Sequence, residues 1–138
     1  MLTRRDTLAI GLGASALAAL PLTASATPVD DAVAAFTGGA AVAEGGVTIT
    51  APEIAENGNT VPISVEAAGA TEIMLIATGN PTPNVGRFVF GPGSGSSMVA
   101  TRIRLGRTQD VMAIAKMADG SYASTAVEVK VTIGGCGG

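Results

Sequence analysis

The chain of 138 residues contains no histidine and no tryptophan, has a single cysteine, and is only 3% aromatic. Histidine is the one side chain whose ordinary pKa suits proton shuttling near neutrality, so its absence disfavours a self-sufficient acid–base or nucleophilic enzyme. A lone cysteine cannot close a disulfide within the chain, so Cys136 is either free or engaged with something outside it. Charge is sparse too, at 14% of residues. Beyond residue 26, six Lys/Arg stand against ten Asp/Glu, a net −4 that argues against nucleic acid or an anionic membrane as partner. No metal site, no cofactor and no catalytic residue are expected.

What is present begins with an export address. Arg4 and Arg5 form a basic start, Leu8 to Leu22 is apolar and alanine-rich, and Ala24-Ser25-Ala26 supplies the small residues a signal peptidase requires. The apolar run is broken by Gly11, Gly13 and Pro21 and is too short for a comfortable membrane span. Thr3-Arg4-Arg5-Asp6-Thr7-Leu8 resembles a twin-arginine signal, with Thr7 in place of the usual Phe and Ala9 where Lys often stands. Residues 1–26 are therefore expected to direct folded export to the bacterial periplasm. The 112 residues that follow suffice for one domain with its own core.

Residues 27–133 are expected to form that domain. Pro28 to Phe36 reads as a short helix, with Asp30 and Asp31 in its first turn and Gly38-Gly39 at its end, presenting Val29, Val33 and Phe36 on one face. After Gly46 the pattern changes to period two. Strands are expected at Val47 to Thr50, Val61 to Ala67, Glu72 to Thr78, Arg87 to Phe90, Val99 to Leu105, Val111 to Met117 and Val127 to Ile133. Pro62 confines its end of the second strand to an edge or a strand start. Glu72 to Thr78 is apolar on both faces, so it is covered on both sides or lies under a partner. Asn57-Gly58 marks a tight turn and Asn80-Pro81-Thr82-Pro83 a stiff loop. Arg102 and Arg104 share a face that either is simply solvated or guides an anion. Seven short strands with turns between them predict an all-β, immunoglobulin-like antiparallel sandwich with a short N-terminal helix, although the Cys–Trp–Cys core of antibody domains is missing.

The end of the chain carries the chemistry. Gly134-Gly135-Cys136-Gly137-Gly138 cannot comfortably continue a strand, since glycine has no side chain to pack and the most freedom to lose. A flexible arm over residues 134–138 is expected, projecting the thiol up to about 10–11 Å beyond Ile133. No cation neighbours Cys136 along the chain and the terminal carboxylate is close, so the group stays mostly thiol at neutral pH. Its activation would come from whatever binds the arm. Such a thiol holds cargo better than it catalyses.

The motif Gly134-Gly135-Cys136-Gly137-Gly138 after a valine-rich strand resembles the SoxY family, the sulfur-carrier subunits of the periplasmic thiosulfate-oxidising system. Supporting stretches are Glu56-Asn57-Gly58-Asn59-Thr60-Val61-Pro62, Asn80-Pro81-Thr82-Pro83, Arg102-Ile103-Arg104-Leu105, Thr108-Gln109-Asp110-Val111 and Met117-Ala118-Asp119-Gly120-Ser121. The resemblance implies that Cys136 is the covalent attachment point for sulfur species, carried as a thiosulfonate or persulfide, with Gly134, Gly135, Gly137 and Gly138 as the flexible arm. It implies a heterodimer with SoxZ. It also implies visits to a haem-containing loading enzyme, a metal-dependent hydrolase that releases sulfate, and a sulfane dehydrogenase.

Three other readings fit parts of the sequence. Ubiquitin-like sulfur carriers end in Gly-Gly and work as a C-terminal thiocarboxylate, but they need ATP-dependent adenylation, which the periplasm does not support. A stand-alone thiol enzyme would need a base or cation beside Cys136. A structural adhesion-type sandwich would not need Cys136 at all.

Overall fold

Apolar–polar alternation becomes nine strands in the computed structural model, which describes residues 27–132. The expected export signal and the segment from Ile133 through Cys136 to Gly138 lie outside the described residues. One helix, α1 (Pro28–Thr37), precedes β1 (Val42–Glu44), β2 (Thr48–Thr50), β3 (Ile54–Ala55), β4 (Val61–Glu66), β5 (Ala70–Ala77), β6 (Asn84–Val89), β7 (Met98–Ile103), β8 (Gln109–Met117) and β9 (Tyr122–Val131). The larger sheet has the order β1-β9-β8-β5-β6, with β3 also on β9, and the smaller has β2-β4-β7.

The two sheets bury one face each against the other. Ile73, Leu75 and Ala77 of β5 and Val111, Ala113 and Ala115 of β8 meet Val61, Ile63 and Val65 of β4 in a single core, with Leu105 beside them. In β4 the buried residues alternate with exposed or half-buried ones along the whole strand, as its period-two sequence dictates.

The double-sided strand β5 has a simple explanation. Its Ile73 and Leu75 enter the main core, while Met74 and Ile76 point to the other face of the sheet, where α1 covers them with Val29, Ala32, Val33 and Phe36. The domain thus covers both faces of β5 itself. The helix starts at Thr27, whose hydroxyl accepts from the Asp30 N–H at 3.1 Å while the Asp30 carboxylate accepts from the Thr27 N–H at 3.1 Å, a capping box. It stops at Gly38, whose φ of 66° is the left-handed conformation that ends helices. Phe36 packs edge-on against Tyr122 with ring centroids 5.7 Å apart, and Arg87 lies over its ring while pairing with Glu72 at 2.7 Å.

Five of the strand pairings among the described residues are antiparallel, and β1 and β3 break the pattern by running parallel to β9. Between them the chain crosses to the smaller sheet to form β2. Gly45 and Gly46, with φ of 92° and 77°, make the first crossing. β1 and β3 have three and two residues, too few for an alternation to be legible, and so the sequence pattern passes over them. Pro62 sits where expected: β2 pairs only with Ser64 to Glu66, so that edge of β4 is open at Pro62.

Candidate functional site

Cys136 and the four glycines around it fall outside the described residues; the end of β9 is the part of the fold that leads to them. The β8–β9 ladder runs from Lys116–Tyr122 to Gln109–Val129 and stops there, because the chain bends away at residues 106–108. β9 nevertheless stays anchored for three more residues. The Lys130 N–H donates to the Glu53 carbonyl at 3.0 Å, and the Thr132 N–H to the Ala55 carbonyl at 3.1 Å, both on the β3 edge. On the opposite edge the Val131 N–H donates to Thr108 Oγ1 at 2.9 Å. Three successive amides are held on alternate sides, and the last belongs to Thr132, two residues before Gly134.

The loop that presents Thr108 is itself pinned. Gln109 is 7% exposed and one of two buried polar residues among those described. Its Oε1 accepts from the Gly79 N–H at 2.9 Å, and its Nε2 donates to Asn80 Oδ1 at 2.8 Å and to the Arg107 carbonyl at 3.0 Å. Asn80 Oδ1 also accepts from the Gly106 N–H at 3.0 Å, while Asn80 Nδ2 donates to the Arg104 carbonyl at 2.8 Å. Arg107 Nε donates to the Gly79 carbonyl at 3.1 Å. No buried side-chain polar atom among the described residues lacks a partner, as a buried amide requires if it is not to cost its desolvation. Residue 79 must be glycine in this packing, since a Cβ there would lie 2.9 Å from the Gln109 Cβ. From the third sheet-to-sheet connection, the Gly58 carbonyl accepts from the Leu105 N–H at 2.7 Å.

Four stretches singled out in the sequence therefore converge on one end of the sandwich: 56–62, 80–83, 102–105 and 108–111. The fifth, Met117 to Ser121, forms the β8–β9 turn at the opposite end, with Gly120 at φ 85°. Asn57-Gly58 makes the expected turn, with the Thr60 N–H donating to the Asn57 carbonyl at 3.3 Å.

At the end where β9 finishes, a cleft of about 670 Å³ opens between the start of α1 and the loops that carry Gly79 to Pro81 and Arg107. Arg102 and Arg104 are exposed, as their strand pattern required, and among the described residues only Arg87 forms an ion pair. No cation adjoins Cys136 in sequence, but the fold brings Arg107 to this end, one residue from the Thr108 that holds Val131. The Asp30 carboxyl at the start of α1 is held below the usual carboxylate value by the Thr27 hydroxyl and then by the Thr27 backbone amide. No group of three or more His, Cys, Asp or Glu that could hold a metal occurs among the described residues. The anchoring role of Thr108 and Gln109 escapes sequence reading, because a polar pair after a strand looks the same whether it caps a neighbour or faces water.

These features define a class first: a small two-sheet, immunoglobulin-like sandwich whose last strand is secured on both edges just ahead of a glycine-flanked cysteine. Residues 33–136 match the family model described as sulfur oxidation protein SoxY, and the chain belongs to the SoxY family. Among solved structures, the sulfur carrier protein SoxY from Chlorobium limicola f thiosulfatophilum is 37% identical, with a TM-score of 0.69, covering 79% of this chain and 100% of that one. A superoxide reductase (neelaredoxin) from Ignicoccus hospitalis is 21% identical, with a TM-score of 0.56, covering 64% of this chain and 81% of that one. That second likeness shows a shared fold alone. No curated protein sequence matches the chain.

Proposed function

We propose that this chain is a sulfur carrier in a periplasmic sulfur-oxidation system, with the thiol of Cys136 as the covalent attachment point. The observation that supports this most is the root of the C-terminal segment. β9 is bonded through Thr132, and a chain of four residues from there to Cys136 would carry the sulfur at most about 13–14 Å from that fixed point. A slim tether with glycines on both sides of its thiol suits entry into narrow clefts of other proteins.

The chemistry balances with thiosulfate as cargo. Joining Cys136 Sγ to the outer sulfur of thiosulfate forms one S–S bond and releases the thiol proton and two electrons, which a haem-containing loading enzyme accepts. Hydrolysis of the terminal S–S bond by a metal-dependent hydrolase then frees sulfate and leaves a persulfide on Cys136 for a sulfane dehydrogenase. The carrier supplies no base of its own. Its partner in the resting state is SoxZ, and export as a folded pair would follow the twin-arginine route. Cleavage after Ala26 would make the Thr27 nitrogen a terminal ammonium, already placed 3.1 Å from the Asp30 carboxylate.

Substitution separates the readings. Cys136→Ser abolishes loading of thiosulfate by the loading enzyme, whereas deletion of Gly138 alone leaves loading intact. A thiocarboxylate carrier gives the reverse result. Steady turnover of thiosulfate or peroxide by the purified chain without companions would overturn the carrier reading in favour of a thiol enzyme.

A further inference from the structure

We infer that Thr108 is a positioning residue that sets the working length of the carrier arm, an inference that rests on the carrier role of Cys136. Past the Gln109–Val129 pair, β8 has no backbone to offer β9, because its chain turns away at residues 106–108. The Thr108 hydroxyl takes over that edge, accepting from the Val131 N–H at 2.9 Å. Its own hydroxyl hydrogen faces the Val131 carbonyl at the longer distance of 3.5 Å. One side chain thus stands in for a missing strand residue.

The substitute is held firmly. Arg107 on one side is bonded to the Gly79 carbonyl, and Gln109 on the other is buried and bonded to Gly79, Asn80 and Arg107. On the far edge the Glu53 and Ala55 carbonyls hold Lys130 and Thr132. If the Thr108 bond is lost, β9 is left on a single, two-residue parallel edge beyond Val129 and can fray back to it. The tether to Cys136 then grows from four residues, counted from Thr132, to seven, counted from Val129. Under the proposed carrier role, a longer tether spreads the thiol over more volume and lowers its effective concentration at a docked enzyme's cleft. It leaves the thiol itself chemically unchanged.

The test uses the full chain in its complex with SoxZ. Thr108→Val keeps the shape and removes the acceptor, and Thr108→Ser restores it. Thr132→Pro breaks the opposite edge independently by removing the Thr132 N–H. In Thr108→Val the Val131 amide should exchange with solvent about five- to tenfold faster, with amides of the core strand β5 unchanged. The KM of the sulfate-releasing hydrolase for the thiosulfate-loaded carrier should rise about two- to fivefold at constant kcat. Alkylation of Cys136 by iodoacetamide should keep its rate. Thr108→Ser should return both exchange and KM, and Thr132→Pro should raise KM in the same direction. Unchanged exchange at Val131, an unchanged KM, or an altered alkylation rate each overturns the inference. Failure of the carrier reading is seen separately, as loading that survives Cys136→Ser.

Discussion

The two ends of the sandwich are built differently. At the end from which the C-terminal segment leaves, the loops are tied to one another by amide and guanidinium side chains. Asn80 reaches Arg104 and Gly106, Gln109 reaches Gly79 and Asn80, and Arg107 reaches Gly79. At the opposite end the ties are mostly backbone. Gly69 and Gly120, at φ of 80° and 85°, sit in tight turns. The Gly69 carbonyl accepts from the Ala118 N–H at 3.1 Å and the Ser97 carbonyl from the Ala67 N–H at 3.0 Å, while the Ser97 and Thr71 hydroxyls donate to the Ala70 and Lys116 carbonyls. Asp119 there bonds only two residues along, to Ser121. The cross-linked end is the one that holds Lys130 to Thr132, the last described residues of β9, from which the proposed carrier arm would start.

Substitutions at each end and in the core between them test this contrast. Leu75→Ala, in the core between the two ends, should cost about 2–5 kcal/mol and speed amide exchange at both ends alike, which chemical denaturation and exchange can check. Gln109→Ala should cost about 1–3 kcal/mol by orphaning the Gly79 N–H and part of Asn80, with faster exchange confined to the cross-linked end. Gly120→Ala should cost about 1–2 kcal/mol, because alanine resists a φ of 85°, and should leave exchange at Val131 and Thr132 untouched. Equal disturbance of Val131 by Gly120→Ala and Gln109→Ala would erase the distinction between the ends.

Acid gives the smallest effect, and it falls on both ends. Asp30 at the start of α1 and Asp119 in the β8–β9 turn have carboxyls held below their usual 3.8, each first by a hydroxyl (Thr27 and Ser121) and then by that residue's backbone amide. A depressed folded value means that the contribution is present above about pH 4 and is lost as pH falls through the folded value. Asp30→Asn and Asp119→Asn should each flatten the pH dependence of stability below about pH 4 by a small amount, both carboxylates being fully exposed.

Much of the fold was legible because long strands advertise themselves. β4, β7 and β9 carry alternation over six or more residues, and their faces come out as their sequences demand. The helix was legible from Pro28, the two aspartates and Gly38-Gly39. The strand β5 was ambiguous, since apolar residues on both faces say that something covers them without saying what; Val29, Val33 and Phe36 supply the answer only once α1 is seen lying on Met74 and Ile76. β1 and β3 were hidden by brevity, and with them the parallel edge that holds β9. Of the candidate site, the described residues reach only the root at the end of β9. A cysteine between glycine pairs declares itself, but the ties from Asn80 and Gln109 link residues 24 to 30 apart in sequence, and no local pattern records them.

The most direct test of the whole account is intact-mass spectrometry of the protein taken from periplasm of cells oxidising thiosulfate. Adducts of sulfur and of thiosulfate should map to Cys136 and disappear on treatment with a reductant. A single unmodified mass under those conditions, or adducts on any other residue, contradicts it.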